Sequence, residues 1–150
     1  MTKQFIFIIL IGLFISFKSE KNEINTPKGT LDVALSNIRN TDGFIYIFIY
    51  SYENQYPYEP YKHYKVKKHN VKKGLLTARI SELNLKNEYA ITLIDDENAN
   101  EDLDRWLGIP HEGYGFSNNI KPFLSLPDYE DLVFDFSSSK KLKVKVQYVL

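Results

Sequence analysis

Residues 44–50 read Phe44-Ile45-Tyr46-Ile47-Phe48-Ile49-Tyr50, an unbroken run of β-branched and aromatic side chains. Residues of these types are enriched in strands, and a run without polar residues is typical of a strand covered on both faces. The run is preceded by the turn-forming residues Asn40-Thr41-Asp42-Gly43, where glycine can adopt the positive φ that tight turns need. We therefore predict a central β-strand that starts directly after a turn.

Further strands are predicted on both sides of this run, because apolar and polar residues alternate with a period of two. The alternation covers residues 31–36, 76–80, 132–136 and 143–148, and a short apolar run covers residues 89–94. Residues 51–73 and 95–127 are predicted to be long loops. No segment shows the sustained stripe of an amphipathic helix. We predict an all-β protein, an antiparallel β-sandwich of about seven strands with an immunoglobulin-like or transthyretin-like fold.

The length and charge of the chain limit its class of function. A chain of 150 residues is the size of one domain. It has 19 Lys and Arg residues against 19 Asp and Glu residues, so no net charge attracts it to nucleic acid or to an anionic membrane. Because it contains no cysteine, disulfides, thiolate metal sites and cysteine nucleophiles are excluded. We expect no nucleic-acid partner.

The N-terminal residues have the pattern of a secretory signal peptide. Lys3 precedes an apolar run over residues 5–15, and the chain becomes polar from Ser16 onward. This run suits a signal peptide, whereas a membrane span needs roughly 20 apolar residues. We expect a signal peptide at residues 1–19, a linker at 20–28 and a single sandwich domain at 29–150. The mature protein is then exported, periplasmic or extracellular, without a stable membrane span; an uncleaved anchor is the alternative.

The strongest local signal is an acidic segment that follows the strand predicted at residues 89–94. Its spacing places Asp96, Asn98, Asn100 and Asp104 on alternate or nearly alternate positions of one loop. Oxygen side chains arranged in this way can converge on one hard cation, so we expect a calcium site. The main-chain carbonyl of Asp102 is the expected additional ligand. The alternative is a solvated acidic loop without a metal.

Two residues depart from the pattern of an EF-hand calcium loop. Glu101 stands where glycine makes the sharp turn, and Leu107 stands where a bidentate Glu binds. A standard EF-hand is therefore excluded, and we expect the weak affinity of extracellular calcium modules. Glu112 is a candidate carboxylate from the next turn.

The segment at residues 106–119 mixes glycine and proline with aromatic residues and can present an aromatic platform to a ligand. The candidate ligand-binding residues are Trp106, His111, Glu112, Tyr114 and Phe116. The alternative is that apolar side chains of this segment close the open end of the sandwich, namely Trp106, Leu107, Ile109 and Phe116. Residues 51–73, rich in tyrosine and lysine, could bind a sugar or an acidic polymer, or form an exposed connection.

Two blocks of the chain resemble a known family. The first is Asp96-x-Asn98-x-Asn100 with Asp104, and the second is Leu107-Gly108-Ile109-Pro110-x-Glu112-Gly113-Tyr114-Gly115-Phe116-Ser117-Asn118. Together they resemble the signature of the bacterial "domain of unknown function 2141" family, over roughly residues 29–150. That family usually has His and Gly where this chain has Asp95 and Glu101. The resemblance implies an exported β-sandwich protein of undetermined activity.

Catalytic motifs of the common enzyme classes are not found in the sequence, which has no G-x-S-x-G, H-E-x-x-H, Walker or Rossmann pattern. We expect a non-enzymatic exported domain that binds a calcium ion and an unknown ligand or envelope component through residues 95–119. The alternative is a calcium-assisted hydrolase that acts on cell-envelope carbohydrate. A pocket beside His111 and Glu112 would favour this alternative.

Overall fold

The computed structural model of the protein describes residues 26–85, 87–122, 125–137 and 140–149. The predicted signal peptide at residues 1–19, and the predicted linker up to residue 25, lie outside the described residues. Within these ranges, no helix is long and apolar enough to cross a membrane. The described chain is mostly β-structure, as predicted, and its single α-helix is the short α1 (Tyr129–Leu132).

The described residues form ten strands, against about seven expected from the sequence. In chain order they are β1 (Lys28–Ser36), β2 (Phe44–Tyr50), β3 (Lys62–Lys67), β4 (Leu76–Asn84), β5 (Asn87–Asp96), β6 (Arg105–Trp106), β7 (Ile109–Pro110), β8 (Gly113–Phe116), β9 (Phe134–Phe136) and β10 (Lys140–Lys145). Part of the excess comes from β6 and β7, which contain 2 residues each.

The strands form two larger sheets and one small hairpin. In the first sheet, β1 lies between β10 and β4, parallel to β10 and antiparallel to β4. In the second sheet the order is β3-β2-β5-β8 with antiparallel pairs, and β9 pairs with another part of β5. β6 pairs with β7. The parallel β1–β10 pair departs from the predicted antiparallel arrangement, and it is possible because most of the chain lies between these strands and provides the crossover.

The two larger sheets share one hydrophobic core. On β2, Ile45, Ile47 and Ile49 are fully buried, while Tyr46 and Phe48 on the opposite face are half-buried. β2 is therefore an interior strand, as predicted, but only one of its faces is fully covered. The first sheet faces these isoleucines with Leu31, Val33, Leu35, Leu76, Ala78, Ile80, Leu142 and Val144. Truncating one buried isoleucine to alanine in such a core costs about 2–5 kcal/mol.

The first segment predicted as a long loop, residues 51–73, contains β3. On this strand Tyr64 and Val66 pack against the core, while Lys65 and Lys67 alternate with them and face solvent. The prediction was wrong because lysine is uncommon in strands and masked the alternation. An edge strand tolerates lysine, which also blocks further strand pairing.

The second predicted loop, residues 95–127, contains β6, β7 and β8. Leu132 was predicted to start a strand but is the last residue of α1, so that strand is limited to β9. The lysine-rich strand β10 lies at the edge of its sheet, where lysine side chains hinder further strand pairing.

Candidate functional site

The predicted metal segment starts at the end of β5 and folds back on itself; we call residues 96–104 the acidic loop. Asp96 is buried, and its carboxylate oxygens accept the backbone N–H groups of Asn100 at 3.1 Å and Glu101 at 3.0 Å. Ala99 and Glu101 have φ values of 62° and 69°, which cost energy for residues other than glycine. The Asp96 carboxylate therefore stabilises a strained turn.

The predicted turn before β2 supports the start of the acidic loop. Gly43 has a φ of 69°, and a Cβ atom on it would lie 1.9 Å from the carbonyl oxygen of Asp96. A side chain at position 43 would therefore push the loop away from β2.

Side-chain amides of the acidic loop converge on Asp104. Nδ2 of Asn98 donates to Oδ2 of Asp104 at 2.6 Å, and Nδ2 of Asn100 donates to Oδ1 at 2.9 Å. With the bond from Asn100 to Asp96, these contacts connect the four residues whose side chains are the predicted ligands. Asp102 is exposed, and its carboxylate accepts a neighbouring backbone N–H at 2.7 Å.

Glu112 fastens both ends of the acidic loop. It is 3% exposed, and its Oε1 accepts the backbone N–H of Glu97 at 2.8 Å while its Oε2 accepts that of Asp104 at 3.1 Å. Both oxygens of this buried carboxylate are therefore bonded to the backbone. Glu112 positions the loop, and its carboxylate does not face solvent.

The donor atoms of the acidic loop fit a hard cation. Its carboxylate and amide oxygens are ligands that calcium prefers. In the described ranges, no three His, Asp or Glu side chains are grouped closely enough to hold a metal ion. A cation would thus need the amide oxygens of Asn98 and Asn100 beside the carboxylates. These two oxygens accept the backbone N–H groups of Asn100 and Asp102, each at 3.0 Å, so a cation would have to share them with the backbone or displace these bonds.

β6 and β7 form a hairpin directly after the acidic loop. Trp106, Leu107 and Ile109 expose 64%, 82% and 41% of their surface; we call these three residues the apolar tip. The alternative in which they close the end of the sandwich is wrong, because β6 and β7 pair with each other and hold them in solvent. Phe116 on β8 is 5% exposed, as that alternative expects.

The candidate ligand-binding residues are distributed between surface and interior. Trp106 and His111 are exposed, Tyr114 is half-buried, and Glu112 and Phe116 are buried. The hydrogen bonds described for His111 use its backbone N–H and carbonyl. Tyr114 packs edge-on against Phe116 with ring centroids 5.8 Å apart. The exposed part of the predicted surface is therefore the hairpin and the residue after it.

A buried polar cluster, which the sequence did not predict, lies beneath the acidic loop. Lys68 and Asp95 are both 0% exposed, and Nζ of Lys68 lies 2.6 Å from Oδ1 of Asp95. Nζ also donates to Oδ1 of Asn40 at 2.6 Å, and the hydroxyl of Tyr148 donates to Oδ2 of Asp95. Burial raises the pKa of the Asp95 carboxyl, and it outweighs Lys68 and Tyr148, which favour the charged form.

Arg39 and Glu97 link this cluster to the acidic loop. Arg39 donates to Glu97 from Nε at 2.7 Å and from Nη2 at 2.6 Å, and Nδ2 of Asn40 donates to Glu97 at 2.7 Å. The guanidinium carbon lies 4.4 Å from the ring centroid of Tyr148. The hydrogen bond from Arg39 is the main reason that the pKa of Glu97 is lowered. These contacts connect the loop to the segment before β2 and to the C-terminal residues.

A groove of about 620 Å³ lies between β3 and β4, which are edge strands of the two larger sheets. Its lining includes Lys65, Lys67, Lys72 and Arg79, and none of the described lining residues is acidic. At one side of the groove, Lys65 pairs with Glu101 of the acidic loop at 2.7 Å. The basic groove and the acidic loop are therefore neighbouring surfaces of opposite charge.

The profile of a bacterial protein family matches residues 33–145 of the chain, and the family is described as "uncharacterized protein conserved in bacteria (DUF2141)". The match runs from within β1 to the end of β10 and includes the acidic loop and the hairpin. No curated protein and no solved structure matches the chain. Since the match covers well over half of the chain, the protein belongs to the DUF2141 family of uncharacterized bacterial proteins, as the two sequence blocks predicted.

Proposed function

We propose that the protein is an exported, non-enzymatic binding domain with an immunoglobulin-like or transthyretin-like β-sandwich. Two sheets with a shared core support the sandwich, and the apolar run after Lys3 supports export. Residues 95–119 form the binding surface, and the ligand is a component of the cell envelope. The acidic loop binds calcium weakly, which orders the hairpin that follows.

The apolar tip is the observation that carries this proposal. Trp106 and Leu107 expose 64% and 82% of their surface, and exposed clusters of large apolar residues mark interaction sites in soluble proteins. The hairpin is held by a rigid base, because Glu112 bonds the backbone at both ends of the preceding loop. A preorganised apolar surface loses little conformational entropy on binding.

Calcium binding is supported by the connected oxygen-bearing side chains of the acidic loop. Asp96 and Asp104 are bridged by Asn100, whose backbone N–H and Nδ2 bond the two carboxylates. Gathering carboxylates without a cation is unfavourable. Calcium would neutralise this charge, while Asp96, Asn98, Asn100 and Asp104 hold the ion and the carbonyl of Asp102 adds a ligand.

The alternative, a calcium-assisted hydrolase acting on cell-envelope carbohydrate, has less support. Its acid or base would be Glu112 beside His111. Glu112 is buried and both its oxygens accept backbone N–H groups, so it is poorly placed to exchange protons with a substrate. The groove between β3 and β4 has neither His111 nor Glu112 in its lining.

Co-sedimentation with cell-envelope fragments of the host tests the binding function. Protein carrying Leu107→Asp should sediment much less than the unmodified protein in calcium, because the substitution puts a charge on the apolar tip. Glu88→Gln, at an exposed position of β5, is the matched control and should sediment normally. Equal sedimentation of all three proteins would refute binding through the tip. Release of reducing sugar from the fragments would instead support the hydrolase.

Mass spectrometry of protein from the native host tests export. The mature chain should start between Phe17 and Lys21. Soluble cytoplasmic protein that retains Met1 would refute the signal peptide.

A further inference from the structure

The buried polar cluster places a primary amine and a carboxyl group side by side in the interior. Lys68 follows β3 and Asp95 lies on β5, on either side of β2. They lie at the same end of the sheet, because Phe44 pairs with Lys67 and Ile45 pairs with Asp95. Both side chains are 0% exposed. Bulk water therefore has no access to either group.

The ion pair between Lys68 and Asp95 leaves one carboxylate oxygen without a good hydrogen bond. Nζ of Lys68 lies 2.6 Å from Oδ1 of Asp95, yet no described residue gives that buried oxygen a well-directed hydrogen bond. Ions removed from water are costly unless geometry and hydrogen bonding are both good. A reaction that removes both charges would relieve this cost.

We propose that Lys68 and Asp95 join through an intramolecular amide bond between Nζ and Cγ, with loss of one water molecule. Because Cγ lies about 1.2 Å from each of its oxygens, the 2.6 Å contact puts Nζ within about 4 Å of Cγ. Groups held about 3–3.5 Å apart react with very high effective concentrations. The fold thus holds the two groups close to a reactive separation.

The condensation balances without a cofactor or an oxidant. The Asp95 carboxylate takes one proton from the Lys68 ammonium, which leaves a neutral amine and a neutral carboxyl group. The amine nitrogen bonds to Cγ, and the bond from Cγ to one carboxyl oxygen breaks. That oxygen leaves as water with its own proton and one proton from the nitrogen. The pair carries no net charge before or after the reaction.

Two neighbours assist this reaction. The hydroxyl of Tyr148 donates to Oδ2 of Asp95, where negative charge develops as the nitrogen attacks. Oδ1 of Asn40 accepts a hydrogen bond from Nζ of Lys68 at 2.6 Å and orients the amine. Tyr148 is therefore a catalytic residue for the bond, and Asn40 is a positioning residue.

Asn40 offers a second carbonyl carbon, whose attack by Lys68 would release ammonia. The contacts favour Asp95, since Asn40 is only partly buried and its amide is already engaged on both sides. Its Oδ1 also accepts the N–H of Asp42 at 3.1 Å, and its Nδ2 donates to Glu97 at 2.7 Å. Nζ donates a hydrogen bond to this oxygen. Its contact with Oδ1 of Asp95 is not a well-directed hydrogen bond.

The bond ties the end of β3 to β5 directly below the acidic loop. It closes a covalent ring through residues 68–95, which limits the conformations of the unfolded chain as a disulfide does. An exported protein without cysteine gains a permanent cross-link in this way.

Peptide mass spectrometry of the unmodified protein from its host tests the proposal. After trypsin, residues 68–72 should remain attached to residues 87–105, and the joined species should be lighter than the two peptides together by about 18 Da, one water. Separate peptides with cleavage after Lys68 would overturn the proposal. A loss of about 17 Da, with residues 68–72 attached to the peptide that contains Asn40, would overturn the assignment to Asp95.

Variants add an independent readout. Lys68→Arg keeps the positive charge but removes the primary amine, so its chain should lack the mass loss. Lys67→Arg, one position away on the exposed face of β3, is the matched control and should keep it. Tyr148→Phe should slow the appearance of the joined peptide during refolding at least several-fold. Formation at the unmodified rate would show that Tyr148 takes no part.

Discussion

Oε2 of Glu112 accepts the backbone N–H of Asp104 at 3.1 Å, which ties the start of β8 to the end of the acidic loop. The second oxygen of Glu112 holds the backbone of Glu97 in the same way. One buried carboxylate therefore positions both ends of the loop that precedes the apolar tip.

Glu112→Ala should lower the free energy of unfolding by about 1–3 kcal/mol, because two backbone N–H groups lose their acceptors. Urea denaturation followed by circular dichroism measures this change. Glu88→Ala, at an exposed position of β5, is the control and should change stability by less than about 0.5 kcal/mol. An equal effect of the two substitutions would contradict the bridging role of Glu112.

Trp106 provides a second test, because it is the single tryptophan of the chain. Its fluorescence should be that of a solvent-exposed indole and should be readily quenched by acrylamide. Trp106→Ala should change the unfolding free energy by less than about 0.5 kcal/mol, whereas Phe116→Ala on buried β8 should cost about 3–5 kcal/mol. A blue-shifted, poorly quenched emission would mean that the apolar tip is covered in solution.

Strands could be predicted from the sequence where their own residues form an apolar run or alternate between apolar and polar. The bounds predicted for β2, residues 44–50, agree with the structure. β3 was missed because its lysines mask the alternation and because its apolar face depends on tertiary contacts: Tyr64 and Val66 are partly buried where they pack against the core. The parallel pairing of β1 with β10 has no local signal either, since it joins segments far apart in the chain.

The candidate site was predictable in part for similar reasons. The oxygen-bearing residues of the acidic loop follow from their spacing. Asp95 could have been recognised as an inward-facing residue, because it continues the alternation of Ile91 and Leu93 on β5. Lys68 had no such signal: it lies among surface lysines, and only the three-dimensional fold turns its side chain inward.

Tyr56 gives a prediction for alkaline pH. Its hydroxyl donates to the carbonyl of Pro127 at 3.1 Å, and burial is the main reason that its pKa rises from 10.0 to about 12. The unfolded chain then releases this proton at lower pH than the folded chain does. The contribution of Tyr56 to stability is complete below pH 10 and is lost as the pH rises from 10 to about 12.

Stability curves of the unmodified protein and of Tyr56→Phe should therefore converge as the pH increases from 10 to 12. At neutral pH the variant should be less stable by about 0.5–1.5 kcal/mol, since it lacks the hydrogen bond. Tyr58→Phe is the control, because Tyr58 is 88% exposed, and its curve should stay parallel to that of the unmodified protein. Parallel curves for Tyr56→Phe as well would refute the assignment.

Calcium at about 5 mM should stabilise the protein by about 1–2 kcal/mol. This value follows from a dissociation constant of about 10⁻⁴ to 10⁻³ M, the range of extracellular calcium modules. Thermal melts with chelator and with calcium, at constant ionic strength, measure the difference. Asp104→Asn should abolish it, because the variant loses one of the two central carboxylates. Asp96→Asn is a less suitable test, since Asp96 also accepts two backbone N–H groups and the variant would lose stability without calcium. Identical melts of the unmodified protein in both buffers would favour a metal-free acidic loop.

Glu101→Gly should enlarge the response to calcium. Glu101 has a φ of 69°, so glycine relieves strain at the turn where calcium loops normally carry it. The substitution also removes the ion pair with Lys65, which draws the loop toward β3.

Glu101→Gln separates the two effects, because it removes the charge and keeps the strained backbone. If backbone strain limits affinity, calcium should raise the melting temperature of Glu101→Gly more than that of Glu101→Gln, and Glu101→Gln should behave like the unmodified protein. Equal responses of the two variants, both above that of the unmodified protein, would assign the restraint to the ion pair with Lys65.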